Sequence, residues 1–128
     1  MNNRRVGAMQ EQIAAAFLAQ HGVRIIERNF HNGRAGEIDL IGYDGDVLIF
    51  VEVKYRSSGR SGTPEEAVTR SKQRSICRAA RFYISSRHLS VEEPMRFDVV
   101  AIQPAAADDC GQERVAVHWI RNAFEYQR

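Results

Sequence analysis

Two apolar, strand-like segments joined by a short turn carry charges where strands of this kind should have none, and this conflict constrains the chain more than any other feature. Val47 to Val51 is an unbroken apolar run of the sort that forms a strand covered on both faces, yet it continues directly into Glu52, Val53 and Lys54. Upstream, Gly36-Glu37-Ile38-Asp39-Leu40-Ile41 sets two acids into another apolar stretch. An ionised group buried without a partner is costly. The acids and the lysine are therefore expected to face one another, or a metal ion, in a cleft.

Parity gives that expectation a geometry. Tyr43-Asp44-Gly45-Asp46 contains an Asp-Gly hairpin signal. With Asp44 and Gly45 as the loop, Tyr43 pairs with Asp46, Asp39 with Phe50 and Glu37 with Glu52. Side chains alternate with period two, so Glu37, Asp39, Glu52 and Lys54 share one face, and Ile38, Leu40, Val51 and Val53 take the other. Directly opposed acids repel, which calls for a cation beside them. The bland alternative, a solvated salt-bridge ladder, sits poorly with the apolar run. Carboxylates are hard oxygen ligands suited to Mg²⁺ or Mn²⁺. A metal-bound water has a lowered pKa, and a lysine can stabilise charge building on a phosphate. These residue types suit phosphodiester hydrolysis, which needs no organic cofactor.

Asp39, thirteen residues before Glu52-Val53-Lys54, resembles the D…E-x-K core of the PD-(D/E)XK, or restriction-endonuclease-like, superfamily. More narrowly the chain resembles the small bacterial YraN-like family, related to archaeal-type Holliday junction resolvases. The resemblance also runs through Glu11, Arg28-Asn29-Phe30, Glu66-Ala67-Val68, Lys72, Arg96-Phe97-Asp98 and Asn122-Ala123-Phe124. It implies an α/β nuclease core with Asp39 and Glu52 on the metal, Lys54 beside the scissile phosphate and Glu11 as an accessory acid. On that reading the carbonyl of Val53 joins the metal ligands and Glu37 stands behind them. One departure is Ser61 before Gly62-Thr63-Pro64, where the family usually has an aromatic residue.

A chain of 128 residues, 44% hydrophobic, suffices for one domain spanning 1–128. No apolar run is long enough to cross a bilayer and no signal-peptide core follows the polar start, which points to the cytoplasm. Cys77 and Cys110 read as ordinary free thiols, and the four histidines lack ligand spacing. A first helix, about Arg5 to Gln20, has Val6, Met9, Ile13 and Phe17 as its main apolar stripe. Glu11 lies on another side with Ala14, Ala15 and Leu18, where small residues permit close approach. Val23 to Phe30 reads as an edge strand.

Beyond the hairpin, Arg56 to Gly62 is a basic, flexible loop. Thr63-Pro64-Glu65-Glu66 has the form of a helix start, and the helical region runs to about Ser86 with a break near Thr69. Its buried stripe is Ile76, Ala79, Ala80 and Tyr83; Arg70, Arg74, Arg78 and Arg81 line the opposite side. From Arg56 to Arg87 there are eight Lys/Arg against two Asp/Glu, so the overall charge of +2 hides a basic face. Arg56, Arg60, Arg70, Lys72, Arg74, Arg78 and Arg81 are the candidate phosphate contacts. Strands at Arg96 to Ile102 and Arg114 to Ile120 complete the order αβββαββ, a mixed β-sheet flanked by helices. Asp98 is expected in a salt bridge with an arginine, and Trp119 and Phe124 in the core or at a homodimer contact. The leading expectation is a Mg²⁺- or Mn²⁺-dependent endonuclease acting on DNA, with branched or otherwise structured DNA as the candidate substrate. The alternatives are a non-catalytic nucleic-acid-binding protein that keeps the fold, and a dimeric structural module.

Overall fold

The computed structural model describes residues 3–34, 36–56, 68–112 and 114–127, with side chains from residue 7 onward. Helix α1 (Asn3–Gln20) precedes strands β1 (Val23–His31), β2 (Glu37–Asp44) and β3 (Val47–Tyr55); helix α2 (Arg70–Ser86) leads to β4 (Met95–Ala105) and β5 (Arg114–Phe124). The expected order αβββαββ is thus observed. The five strands lie in sequence order in one sheet, with β3 and β4 parallel and every other neighbour antiparallel. Parallel neighbours need a crossover, and α2 lies in that connection.

The helices cover opposite faces, which accounts for the doubly apolar β3. On one face Ile76, Ala79, Ala80 and Tyr83 of α2 pack with Ile41, Leu48, Phe50, Phe97 and Val99. On the other, Ala14, Ala15 and Leu18 of α1 pack with Leu40, Ile49, Val51, Val100 and Ile102. The buried face of α1 is therefore the alanine side that carries Glu11. The stripe expected from hydrophobicity is not the buried one: Met9 is 63% exposed, and Ile13 and Phe17 are only half-buried. Small side chains let the helix axis approach the sheet, and that proximity outweighs the larger apolar surface beside it.

Thr69 caps α2 by accepting a hydrogen bond from the Lys72 N–H (3.1 Å), so the expected break near Thr69 is where the described helix begins. The Thr63-Pro64-Glu65-Glu66 start lies outside the described residues. Asp98 is fully buried and forms the expected salt bridge. Its carboxylate accepts from Arg96 Nε and Nη2 (both 2.8 Å), from Trp119 Nε1 (2.9 Å) and from the Asn122 N–H (2.9 Å). Phe124 is buried and stacks on Phe97, a core role, while Trp119 is half-buried with Arg121 over its ring at 3.6 Å. Cys77 and Cys110 are both free thiols. No helix among the described residues is long and apolar enough to cross a membrane.

Candidate active site

The hairpin register differs from the expected one by two residues. Asp44 pairs with Val47, Tyr43 with Leu48 and Leu40 with Val51, leaving Gly45 and Asp46 as the loop. Gly45 adopts φ +62°, which suits a glycine in the first of two turn positions. A two-residue shift preserves parity but opposes different acids: the next pair would be Asp39 with Glu52, in place of Glu37 with Glu52. That pair does not form. The β2–β3 ladder stops at Leu40–Val51 although both strands continue.

Alternation also fails at this point. Ile38 packs in the α2-side core and Leu40 in the α1-side core, though they are only two residues apart. Asp39 sits at the switch, beside Glu52, whose pKa it raises. Its Oδ2 instead accepts a hydrogen bond from the Val53 N–H at 2.8 Å, replacing the ladder partner that β2 no longer supplies. A strand residue directs its N–H and C=O to the same edge, so the Val53 carbonyl also faces the gap between β2 and β3.

Both covering helices reach this gap. From α1, Glu11 comes close enough to Asp39 and to the side chain of Asn29 for both to act on its charge. Asn29 sits two residues before the end of β1 at φ +52°, a left-handed conformation that asparagine tolerates. From α2, Lys72 Nζ lies 3.8 Å from Glu52 Oε2 and 3.8 Å from Glu37 Oε1. A lysine in the first turn of a helix opposes the helix dipole, and these acids compensate it. Glu37 also meets His31 Nδ1 at 3.4 Å. Lys54 is half-exposed and adds positive potential at Glu52.

The carboxyls are electrostatically frustrated. Glu52 is only 6% exposed, and burial, followed by the neighbouring Asp39, pushes its pKa up to about 8. Burial also raises Asp39, against the lowering effect of the Val53 N–H and of its hydrogen bond with Glu52. Glu11 is raised by burial and then by Asp39. Among the described residues no three His, Cys, Asp or Glu side chains converge as a finished metal cage. The donors present are a carboxylate pair, a carbonyl and a flanking acid, a set suited to a hard cation that keeps part of its water shell.

Along α2, Arg70, Arg74, Arg78 and Arg81 are all exposed, opposite the buried stripe. Among the described residues no carboxylate pairs with Arg70, Arg74 or Arg81. Arg56 is half-buried at the end of β3 and its N–H bonds to the Ile102 carbonyl (2.8 Å). Arg60, Ser61 and the rest of the loop lie outside the described residues.

A model of the uncharacterised protein family UPF0102 matches residues 10–102, the whole span from Glu11 to the end of the β3–β4 ladder. The chain belongs to this family. A UPF0102 protein of Symbiobacterium thermophilum is 50% identical over 122 residues, covering 95% of this chain and 98% of its own length. Another, from Chromohalobacter salexigens, is 44% identical over 124 residues, covering 97% and 94%. The UPF0102 match takes in Glu11, Glu37, Asp39, Glu52, Lys54 and Lys72. Two of the residues that build the site had no distinct role in the sequence. Lys72 read as one more cation in a basic helix, although a lysine among arginines was a signal. Asn29 entered only within the Arg28-Asn29-Phe30 resemblance, with no role of its own.

Proposed function

We propose that this UPF0102 protein is a metal-dependent nuclease acting on DNA, built on a restriction-endonuclease-like core. The observation that carries the reading is the Asp39–Glu52 pair. Two neighbouring carboxyls, both raised chiefly by burial and one of them almost fully buried, occupy the gap where β2 and β3 part, next to a helix with a basic face. Like charges so close are unfavourable unless a proton or a cation joins them.

Asp39, Glu52 and the Val53 carbonyl would hold Mg²⁺ or Mn²⁺, with Glu11 at the side. When bound, the cation supplies a water of lowered pKa and charge compensation on a phosphoryl oxygen. Lys54 stabilises the negative charge that grows on the attacked phosphate. Lys72 moderates the repulsion between Glu37 and Glu52 and holds both near the cleft. The backbone of DNA, with branched or structured DNA as the favoured class, runs along Arg70, Arg74, Arg78 and Arg81, with Arg56 and, outside the described residues, Arg60 as further phosphate contacts. Metal-dependent cleavage of a panel of linear, flapped and four-way DNA substrates tests the proposal. If purified protein cleaves none of them with Mg²⁺ or Mn²⁺, the nuclease reading falls and a non-catalytic nucleic-acid-binding role replaces it.

The acid pair also predicts how stability depends on pH. A folded-state pKa near 8 against the ordinary 4.5 means that folded Glu52 keeps a proton that the unfolded chain releases. Metal-free protein therefore loses stability as pH rises from about 4.5 to about 8 and levels off above that, by linkage. Saturating Mn²⁺ flattens this fall, because binding requires the deprotonated ligands. Thermal melts across this range, with EDTA or Mn²⁺, check both effects. Equal Mn²⁺ affinity in wild type and in Asp39→Ala plus Glu52→Ala protein would remove the metal assignment.

Replacing Arg74, Arg78 and Arg81 together with Gln weakens DNA binding alike for all sequences, because phosphate contacts carry no base information. The plot of log K against log salt becomes shallower by roughly 0.9 for each duplex phosphate that the protein no longer neutralises. Unchanged affinity with an unchanged slope would make the row a merely solvated face.

A further inference from the structure

At the far end of α2 from the acid cluster lies an open groove of about 920 Å³, whose lining includes Arg81, His88, Leu89, Val91, Met95 and Tyr126. Its floor is apolar, and Val91 is 84% exposed, with Tyr126 43% exposed. Tyr126 is held by near-parallel packing on Phe97, with ring centroids 6.4 Å apart and planes 22° apart. That contact supports the ring from the core while leaving part of it open to solvent. Among the described residues, the groove lining includes two basic side chains and no carboxylate. Arg81 belongs both to the groove and to the exposed arginine row, and among the described residues no carboxylate pairs with it.

We propose that this groove binds an unpaired nucleotide of a single-stranded segment adjoining the duplex, with the base against Tyr126 and its phosphate on Arg81. The inference rests on nucleic acid being the partner and adds a substrate feature, a single-stranded tail. Its chemistry fits: an aromatic platform accepts any base, and a guanidinium accepts the backbone. The volume lies within the usual range for small-molecule sites, roughly 300–1,000 Å³. Helix polarity refines the placement. The C-terminal carbonyls of α2 repel phosphate, so the anion lies at Arg81, about one turn before the helix end, and the uncharged base lies over Leu89, Val91 and Met95. From Lys72 to Ser85 the helix spans about 20 Å at ~1.5 Å per residue, and the arginine row continues between the two sites. A strand leaving the acid cluster along α2 thus reaches the groove over basic surface.

The test measures binding in EDTA by fluorescence anisotropy, using a blunt duplex and the same duplex with a ten-nucleotide thymidine tail. Wild type is expected to bind the tailed duplex roughly tenfold more tightly, the effect of about one stacked base. Tyr126→Ala and, separately, Val91→Glu should lose that increment while keeping wild-type affinity for the blunt duplex. Val91 is so exposed that its variant avoids the core, so the test survives if Tyr126→Ala folds poorly. A tail that adds no affinity overturns the proposal, as does equal weakening on both DNAs. So does a dimer, seen by sedimentation, that Val91→Glu dissociates, because the groove would then hold a second copy of the chain. Cleavage is measured separately with Mg²⁺. A tail effect without cleavage removes only the nuclease reading, and cleavage without a tail effect removes only the groove.

Discussion

Lys54→Ala is expected to lower the rate of DNA cleavage by roughly 100-fold or more while leaving DNA affinity within a few-fold. Removing a single group aimed at developing transition-state charge typically has an effect of this order. Lys54 is half-exposed near the C-terminal end of β3, and its charge acts on Glu52. An interaction made mainly in the transition state reduces turnover without reducing ground-state binding. Lys72 provides the contrast. It already touches Glu37 and Glu52 before any substrate arrives, so Lys72→Ala should also change Mn²⁺ affinity. Single-turnover cleavage and metal-free DNA binding, measured on both variants, separate the two lysines. Parallel loss of rate and affinity in Lys54→Ala would make Lys54 a binding residue only.

The parts of the fold legible in the sequence were those encoded by polarity. The apolar run of β3 announced a strand buried on both faces, and α1 and α2 do cover it. The buried stripe of α2 and a salt bridge from Asp98 to an arginine were readable for the same reason, though not that Arg96 is the partner. The register was less so, because Asp44-Gly45 and Gly45-Asp46 are both acceptable two-residue loops. The observed choice places φ +62° at the first position, on glycine. Parity survived that error, and so the acids still converged. The turning of Asp39 into the gap was not legible at all. Periodicity assumes an unbroken strand, whereas here Ile38 and Leu40 enter different cores and a side chain replaces a ladder carbonyl. On α1 the alanine side was legible as a close-approach face, but hydrophobicity ranked the Met9 stripe above it, while close packing favours Ala14 and Ala15.

Gly36→Ala should be among the most destabilising single changes in the described chain, because this glycine seats the start of β2 on α2. A Cβ at position 36 would stand 2.9 Å from the Ser75 carbonyl carbon and closer still to its oxygen, at a φ of +156° that side chains rarely adopt. Overpacking costs about 1–3 kcal/mol, and a strained backbone costs about as much again. For a domain of this size the combined loss lowers Tm by roughly ten degrees or more. The obstacle is mainly backbone, so Ser75→Ala, which removes only the hydroxyl 2.5 Å away, should restore little in the double variant. Gly45→Ala is the control for conformation alone: φ is +62° but nothing lies within 4 Å, and the cost should stay near ~1 kcal/mol. The displacement also reaches the site. Glu37 follows Gly36 directly and meets Lys72, one turn before Ser75 on the same helix. Gly36→Ala that still folds should therefore bind Mn²⁺ more weakly than wild type, whereas Gly45→Ala should bind it normally. Equal Tm losses for the two variants would show that α2 yields to the added methyl, and that the close approach at Gly36 does not set the position of the acids.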